Sequence, residues 1–248
     1  MYNGNNLSVI IATYNEEKNI LNTIKRVQKA VPKAEILVVD DGSKDNTVKM
    51  AKSIKLKNLM VISYKPNRGK GYAIKEGINK AARKVQAQLD ADSQFPPEEL
   101  PGLVKPILEN KADVVFASRF IKGSTIQKGS LTKLRKLANF VVSGFTSILS
   151  GKRFTDVNAG FKAWKTDVIR DIDFHCNHFA YEPEIAIKGT EMRYKFIEVP
   201  VNYKGRQLGI TNVKLLKDGI IIPLYLLRLK LSLIMKRLFN YYFSYGTS

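Results

Sequence analysis

The chain has 248 residues, of which 44% are hydrophobic and 25% charged, and this balance excludes a disordered or low-complexity protein. Its single cysteine, Cys176, excludes an internal disulfide bond. The formal net charge of +19, most of which lies after residue 118, calls for an anionic partner or an anionic surface.

Strands and helices are predicted to alternate in the first half of the chain. Short apolar, β-branched runs predict strands at residues 7–13, 36–39, 59–63, 85–89 and 114–118. Apolar residues at helical spacing predict helices at 16–31, 45–54 and 71–84, and Pro96-Pro97 opens another. This alternation predicts a single α/β domain with a Rossmann-like, mostly parallel sheet and flanking helices. Ligands of such sheets bind beyond the carboxyl ends of the strands.

The second half is predicted to contain a basic helix and an apolar tail. Residues 131–149 have helical spacing, and basic residues crowd the first turns: Lys133, Arg135 and Lys136. In the tail, residues 219–248, Arg228 and Lys230 interrupt the apolar run, so no uncharged stretch is long enough to span a bilayer. We expect a helix that lies on a membrane surface, and a terminal helix packed on the domain is the alternative.

Acidic and polar residues follow three of the predicted strands. They are Tyr14-Asn15-Glu16, Asp40-Asp41-Gly42-Ser43 and Asp90-Ala91-Asp92. Because the carboxyl ends of parallel strands meet at one sheet edge, these carboxylates repel one another unless a cation lies among them. Mg²⁺ or Mn²⁺ takes one or two carboxylates from a protein and fills its other positions with phosphate oxygens. We therefore predict a divalent cation at Asp90 and Asp92, where it would neutralise a departing diphosphate.

The motifs resemble, in their order along the chain, those of one enzyme family. They are SVIIATYNEE at 8–17, VVDDGSKDNT at 38–47, NRGKG at 67–71, LDADSQFPPE at 89–98 and SR at 118–119. This order is similar to that of family 2 glycosyltransferases with the GT-A fold. DSQFPPE at 92–98, DVNAGFK at 156–162 and VPV at 199–201 further resemble the polyprenyl-phosphate sugar synthases, among them the dolichol-phosphate mannose synthases.

The resemblance implies roles for individual residues. The nucleoside pocket would be lined by Ala12, Tyr14, Glu16, Val39 and Asp41. The metal ion and the diphosphate would be held by Asp90, Asp92 and Gln94, with Ala91 between the carboxylates. Phosphates of the donor or the acceptor would be bound by Arg119, Arg135, Arg206 and Lys214. Within this set, the resemblance gives the catalytic roles to Asp92, Arg119 and Arg206.

Two positions depart from the family pattern. Ala12 stands where many members have proline, a change that the pocket should tolerate. The late phosphate-binding stretch, Gly-x-Ser-Lys in most members, reads Gly209-Ile210-Thr211-Asn212 and is followed by Lys214. Threonine can replace serine as a hydroxyl donor, but asparagine cannot replace the charge of lysine, so the role of Asn212 is open.

The acceptor determines which catalytic groups are needed. A sugar hydroxyl must lose a proton to a general base, for which Glu182 or Glu184 would be the candidates. A lipid phosphate is already anionic and needs arginines to position it. The basic second half and the apolar tail favour the phosphate. We therefore expect an inverting enzyme that transfers a hexose, with mannose from GDP-mannose as the first choice, to polyprenyl or dolichyl phosphate.

Other functions remain open at this point. The donor could be a UDP-sugar, and glucose or another sugar could go to polyprenyl phosphate or to a glycan or glycolipid hydroxyl. A nucleotidyltransferase would need a glycine-rich loop after the first strand, and residues 12–17 contain no glycine. A nucleic-acid-binding protein would explain the basic charge, but no recognition motif accompanies it, and we expect no nucleic-acid partner.

The expected location is the cytoplasmic face of the cell membrane. Residues 1–6 are polar and lack the character of a signal peptide. We place a glycosyltransferase domain at 1–218, with a nucleotide-sugar-binding half at 1–119 and an acceptor-binding half at 120–218. The tail at 219–248 would attach to the membrane surface, where a membrane partner subunit is a further option.

Overall fold

A seven-stranded sheet lies at the centre of the computed structural model, which describes residues 2–206 and 215–245. The described strands are β1 Leu7–Thr13, β2 Glu35–Asp40, β3 Leu59–Ser63, β4 Val85–Asp90, β5 Val114–Ser118, β6 Thr125–Ile126, β7 Lys162–Lys165, β8 Phe196–Pro200 and β9 Asn202–Tyr203. The sheet order is β3-β2-β1-β4-β7-β5-β8, and β6 pairs with β9 separately. Only β7 runs antiparallel to its neighbours among these strands, so the predicted mostly parallel α/β sheet is confirmed.

Helices cover both faces of the sheet. They are α1 Ile20–Ala30, α2 Thr47–Ser53, α3 Lys70–Lys80, α4 Leu100–Leu108, α5 Lys133–Ser150, α6 Thr166–Ile172, α7 Tyr181–Glu191 and α8 Leu215–Tyr245. Side chains alternate along β1, so Val9 and Ile11 enter one core with α1, α2 and α4. Ile10 enters the other core, where α3, α6 and α7 pack with parts of α5 and α8.

The pairing register brings the ends of three strands level. Thr13 at the end of β1 pairs with Asp40 of β2, and Ala12 pairs with Asp90 of β4. The three acidic clusters that follow these strands therefore lie at one edge of the sheet, as the sequence predicted. This edge is where ligands of parallel sheets bind.

The predicted helix at 16–31 is shorter in the structure, where α1 begins at Ile20. Asn15 has a positive φ of 56°, and the backbone N–H of Glu16 donates to the Thr47 hydroxyl at 2.8 Å. The Glu16 carboxylate accepts a hydrogen bond from Asn19 Nδ2 at 2.6 Å. Residues 15–19 are thus a turn that ties β1 to α2 and keeps Glu16 at the sheet edge.

The strands β7 and β8 were not predicted. β7 reads Lys-Ala-Trp-Lys, which is too short and too polar to resemble the buried strands of the first half, yet it pairs with both β4 and β5. The sheet consequently combines strands from both predicted halves of the domain. The domain boundaries themselves stay predictions.

The tail is helical, as predicted, but α8 begins at Leu215, before the predicted boundary. Ile222 and Leu226 are buried against the domain, which is what the alternative of a packed terminal helix requires. Other apolar side chains of α8 are exposed, for example Leu224 and Met235. Within the described residues, we find no helix with the length and hydropathy that crossing a membrane requires. Attachment of the tail to a membrane surface stays a prediction.

Candidate active site

A cavity of about 650 Å³ opens at the carboxyl ends of β1, β2 and β4. Most of the predicted site residues line it: Ala12, Tyr14, Glu16, Asp41, Asp90, Ala91, Asp92, Gln94, Arg119, Arg135 and Arg206. Val39 does not belong to this lining, because the alternation along β2 points its side chain into the core beneath α3, where it is fully buried. Lys214 and the stretch 209–212 lie outside the described residues, so their roles stay predictions.

The end of β4 and the turn after it place two acidic residues, Asp90 and Asp92, at the cavity. Ser93 has a positive φ of 60°, and the Thr23 hydroxyl on α1 donates to the Ala91 carbonyl at 2.9 Å. Asp92 accepts the backbone N–H of Gln94 at 3.1 Å. Burial, and after it the charge of Asp90, raise the pKa of Asp92 to about 6. The helix α1 thus fixes a turn whose carboxylates repel each other.

These side chains suit a divalent cation that prefers oxygen ligands. Asp90, Asp92 and the Gln94 amide offer oxygen atoms, and a cation would relieve the repulsion between the carboxylates. Gly160 packs so closely on Asp90 that a Cβ atom there would overlap the carboxylate. Within residues 2–206 and 215–245, no three His, Cys, Asp or Glu side chains are grouped to hold a metal. Substrate phosphates would therefore have to complete the coordination, and the metal site stays a prediction.

Arg206 lies beside the acidic groups. Its guanidinium forms an ion pair with Glu16, and its Nη1 lies 3.8 Å from Asp92 Oδ2. Burial raises the pKa of Glu16, while Asn19 and Arg206 act in the opposite direction. A phosphate bound next to Asp92 would lie within reach of this guanidinium, which is compatible with the predicted phosphate-binding role.

Arg119 has a carboxylate partner that the sequence analysis did not foresee. Its Nε and Nη2 donate to Asp156 at 2.6 and 2.7 Å, and its backbone N–H donates to the same side chain. Asp156 is fully buried. Although burial lowers it, the pKa of Arg119 is raised overall by Asp156. Arg119 therefore neutralises a buried charge as well as lining the cavity, so removing it would reduce stability together with any phosphate binding.

Arg135 lies in the first turn of α5. The Thr132 hydroxyl caps this helix by accepting the backbone N–H of Arg135 at 3.3 Å. The cap starts the helix so that Arg135 lines the cavity while Leu137 and Phe140 are exposed. The helix α5 thus has a basic side chain at the cavity and apolar side chains outside it.

Asp41 anchors the loop that precedes α3. Its carboxylate accepts the side-chain amide of Asn67 at 2.8 Å and the backbone N–H groups of Arg68 and Gly69 at 2.7 and 2.9 Å. Gly69 has a φ of 101° and packs against the backbone of Asn177, where a Cβ atom would overlap. The NRGKG motif is therefore a tightly packed turn that lines the cavity at Asn67, Gly69 and Lys70.

A series of charged side chains lies beside the cavity and was not predicted from the sequence. Lys162 is fully buried, and its ammonium lies 2.9 Å from Glu182, which also accepts Gln88 Nε2 at 3.1 Å. Lys70 lies 2.8 Å from Asp90 and 3.9 Å from Glu182. Burial raises the pKa of Glu182, but the two lysines outweigh it and hold this pKa below its usual value. The signal in the sequence that could have indicated this buried ion pair is the position of Lys162 between two apolar residues, Phe161 and Ala163.

Of the two glutamates considered as general bases, Glu182 lines the cavity and Glu184 does not. Glu182 is 2% exposed and is shared by the two lysines. Glu184 is fully buried and does not line the cavity. It accepts the backbone N–H groups of residues 175 and 176 and the Tyr225 hydroxyl at 2.7 Å, so it ties α8 to the loop before α7.

The family is established by sequence comparison. The profile of Glycosyl transferase family 2 matches residues 8–153, which is more than half of the chain. The chain therefore belongs to this family and is a glycosyltransferase.

Similar proteins include enzymes that act on polyprenyl phosphates. Polyprenol monophosphomannose synthase of Mycolicibacterium smegmatis is 28% identical, over 83% of this chain and 80% of that protein. Dolichol-phosphate mannosyltransferase of Pyrococcus furiosus is 30% identical, over 84% of this chain and 59% of that protein. Among solved structures, glucosyl-3-phosphoglycerate synthase of Mycobacterium tuberculosis has a TM-score of 0.71 at 19% identity, over 92% of this chain and 80% of that chain. This last similarity supports the GT-A-like fold alone.

Proposed function

We propose that the chain transfers a hexose from a nucleotide-sugar to a polyprenyl phosphate, with inversion at the anomeric carbon. One observation carries the proposal: the carboxylates Asp90 and Asp92 line the same cavity as Arg119, Arg135 and Arg206. Such a cavity can receive two phosphate-bearing substrates, one through a divalent cation and one through guanidinium groups. The similar mannosyltransferases support mannose as the first choice of sugar, and we propose GDP-mannose as its donor. A UDP-sugar is the alternative donor.

The acceptor phosphate would act without a general base. Its oxygen would attack the anomeric carbon while the bond to the donor diphosphate breaks, and the nucleoside diphosphate would leave. A bound Mg²⁺ or Mn²⁺ would neutralise the charge on that leaving group. The cavity glutamates already have cationic partners, since Glu16 pairs with Arg206 and Glu182 with Lys162. These pairings favour a phosphate acceptor over a sugar hydroxyl, which would need a base.

The proposal is tested by a panel of donors and acceptors with the purified full chain and Mn²⁺. The donors are GDP-mannose, UDP-glucose and UDP-GlcNAc. The acceptors are a polyprenyl phosphate, the matching polyprenol and a soluble glycan. We expect transfer to the polyprenyl phosphate and none to the polyprenol, because the alcohol lacks the anionic nucleophile and would need a base.

Transfer to the polyprenol or to the glycan at a rate equal to that on the lipid phosphate would reject this acceptor class. The choice among donors identifies the sugar and the nucleobase. Loss of product in EDTA, and its recovery with Mn²⁺ but not with Ca²⁺ or Na⁺ alone, would support the predicted cofactor.

We also propose that the enzyme attaches to the cytoplasmic surface of a membrane through an apolar face on two adjacent helices. We define the apolar face as the exposed large apolar side chains of α5 and α8: Leu134, Leu137, Phe140, Val141, Ile148, Ile221, Leu224, Leu227, Leu231, Ile234, Met235, Leu238 and Phe239. Both helices also line the cavity, α5 through Arg135 and α8 through Ile222. A lipid phosphate at the bilayer surface would therefore lie near the cavity when the apolar face contacts acyl chains.

The triple variant Leu137→Gln/Phe140→Gln/Ile148→Gln is expected to lower binding to vesicles of phosphatidylglycerol and phosphatidylcholine by about tenfold or more, because three exposed apolar contacts are lost. Co-sedimentation measures this binding. The control is Met60→Gln, which removes one exposed apolar side chain from the edge strand β3 and leaves α5 and α8 unchanged. Equal binding of the triple variant and the wild type would place the membrane contact elsewhere.

A further inference from the structure

Lys70 makes contacts that its neighbours in α3 do not share. Its ammonium lies 2.8 Å from Asp90 Oδ1 and 3.1 Å from Oδ2, so it engages both oxygens of this carboxylate. The side chain is 18% exposed and lines the cavity. Asp90 is one of the two carboxylates suited to a divalent cation. The lysine therefore occupies the oxygen atoms that the cation would use.

An ammonium and a divalent cation cannot share Asp90 without a large electrostatic cost. Two positive charges within about 4 Å of each other repel strongly at the effective dielectric of a protein surface. Asp92 cannot act as the counter-ion of both the divalent cation and Lys70, since Arg206 already lies 3.8 Å from it. A cation that binds between Asp90 and Asp92 has to displace the Lys70 ammonium.

Glu182 provides a second position for the displaced ammonium. Its carboxylate lies only 3.9 Å from Lys70 Nζ and is held in place by Lys162 at 2.9 Å and Gln88 at 3.1 Å. While Lys70 stays on Asp90, Glu182 makes a close ion pair with Lys162 and only a longer contact with Lys70. A change of side-chain rotamer would move the ammonium from Asp90 toward Glu182 without breaking the core ion pair.

The backbone around Lys70 does not have to move for this exchange. Gly71 packs against the Cys176 carbonyl so closely that a Cβ atom would overlap it. The backbone N–H of Tyr72 donates to the Asn177 carbonyl at 3.2 Å, and the Gly69 N–H donates to Asp41. Residues 69–72 are therefore fixed on both sides, and the side chain of Lys70 is the part that can change position.

We propose that Lys70 is a built-in counter-ion of Asp90 that a divalent cation must displace toward Glu182, so that the cation binds well only together with a nucleoside diphosphate. Without the nucleotide, the gain from Asp90 and Asp92 is offset by the displacement of Lys70. With it, the diphosphate supplies both the missing metal ligands and negative charge for the ammonium. The inference rests on the proposed use of a metal and deepens it by naming the residue that couples metal binding to donor binding.

The test is Mn²⁺ binding to the purified full chain, followed by the electron paramagnetic resonance signal of unbound Mn²⁺, with and without GDP or UDP. Lys70→Met keeps the length of the side chain and removes its charge. We expect Mn²⁺ to bind this variant about tenfold more tightly than the wild type when no nucleotide is present. The nucleotide should then improve Mn²⁺ binding less in the variant than in the wild type.

The matched control is Lys75→Met, also in α3, which removes a lysine that pairs with Asp173 at 2.9 Å outside the cavity. It should bind Mn²⁺ like the wild type. If Lys70→Met does not fold, as judged by its melting temperature, Lys70→Gln replaces it. Unchanged or weaker Mn²⁺ binding in a folded Lys70 variant would overturn the proposal. If the Lys70 variant binds Mn²⁺ more tightly but the wild type transfers no sugar from any donor in the panel, the role of Lys70 is retained and the proposed function is rejected.

Discussion

Asp92→Asn is expected to lower kcat/KM for transfer about a thousandfold while leaving the protein folded and, without added metal, slightly more stable. The loss follows because asparagine keeps the shape of the side chain but removes a charged metal ligand next to the departing diphosphate. The gain in stability follows because burial and Asp90 raise the pKa of Asp92 to about 6, which shows that its charge is disfavoured in the folded protein. Removing that charge removes the penalty.

The sign of the stability effect can be checked through its pH dependence in EDTA. The pKa of Asp92 is higher in the folded protein than in the unfolded chain, so the folded state binds more protons between these two values. The contribution of Asp92 to the stability of the wild type therefore becomes less favourable as the pH rises from about 4 to about 6. Asp92→Asn should be spared this loss, so its advantage in melting temperature should be larger at pH 7.5 than at pH 4.

Asp167→Asn is the matched control, because Asp167 is exposed in the first turn of α6, outside the cavity. Its kcat/KM should stay within about twofold of the wild type, since surface substitutions have small effects. If Asp92→Asn retains transfer, Asp92 is not a metal ligand. If it loses both activity and melting temperature at every pH, Asp92 supports the fold instead.

The sheet edge could be predicted from sequence because it depends on local patterns. Apolar runs and their ends placed β1, β2 and β4, and parallel pairing then required that Glu16, Asp41 and Asp90 meet. The resemblance to a family supplied Arg119, Arg135 and Arg206, which come from three separate segments that follow β4 in the chain. Their arrival at one cavity depends on tertiary contacts that no local pattern encodes.

The partners of the charged residues could not be predicted in the same way. Asp156 is a motif residue in the sequence, but nothing local indicates that it binds the Arg119 guanidinium through two hydrogen bonds. Likewise, the pair of Lys162 and Glu182 joins β7 to α7, and β7 was itself missed because a four-residue strand with lysine at each end lacks an apolar pattern. Pairings between distant elements require the fold to be known first.

The direction in which the apolar side of α5 faces could not be predicted from the sequence either. Helical spacing predicted the helix, but spacing cannot distinguish an apolar side that packs on a core from one that faces outward. In the structure Val142 is buried while Phe140 is 75% exposed. The difference arises because Asn139 and Val142 line the cavity and pack on the domain, which leaves the neighbouring apolar side chains outside.

Lys162→Met is expected to lower the free energy of unfolding by about 3–5 kcal/mol, because it leaves the buried carboxylate of Glu182 without its main partner. Glu182 is 2% exposed, and its remaining cation, Lys70, is 3.9 Å away and already engaged by Asp90. Glu182→Gln should be costly for the converse reason, since Lys162 is fully buried and would lose its carboxylate. Urea unfolding at pH 7.5 measures both changes.

The double variant Lys162→Met/Glu182→Gln separates an ion pair from a general packing effect. Glutamine can still accept the hydrogen bond from Gln88 Nε2, now 3.1 Å from Glu182, and the methionine can still pack near the Phe116 ring. With both charges removed, neither charge is buried without a partner. The double variant should therefore lose less free energy of unfolding than the sum of the two single losses, by about 2 kcal/mol or more. Strictly additive losses would mean that Lys162 and Glu182 contribute to stability separately and that their ion pair has no interaction energy of its own.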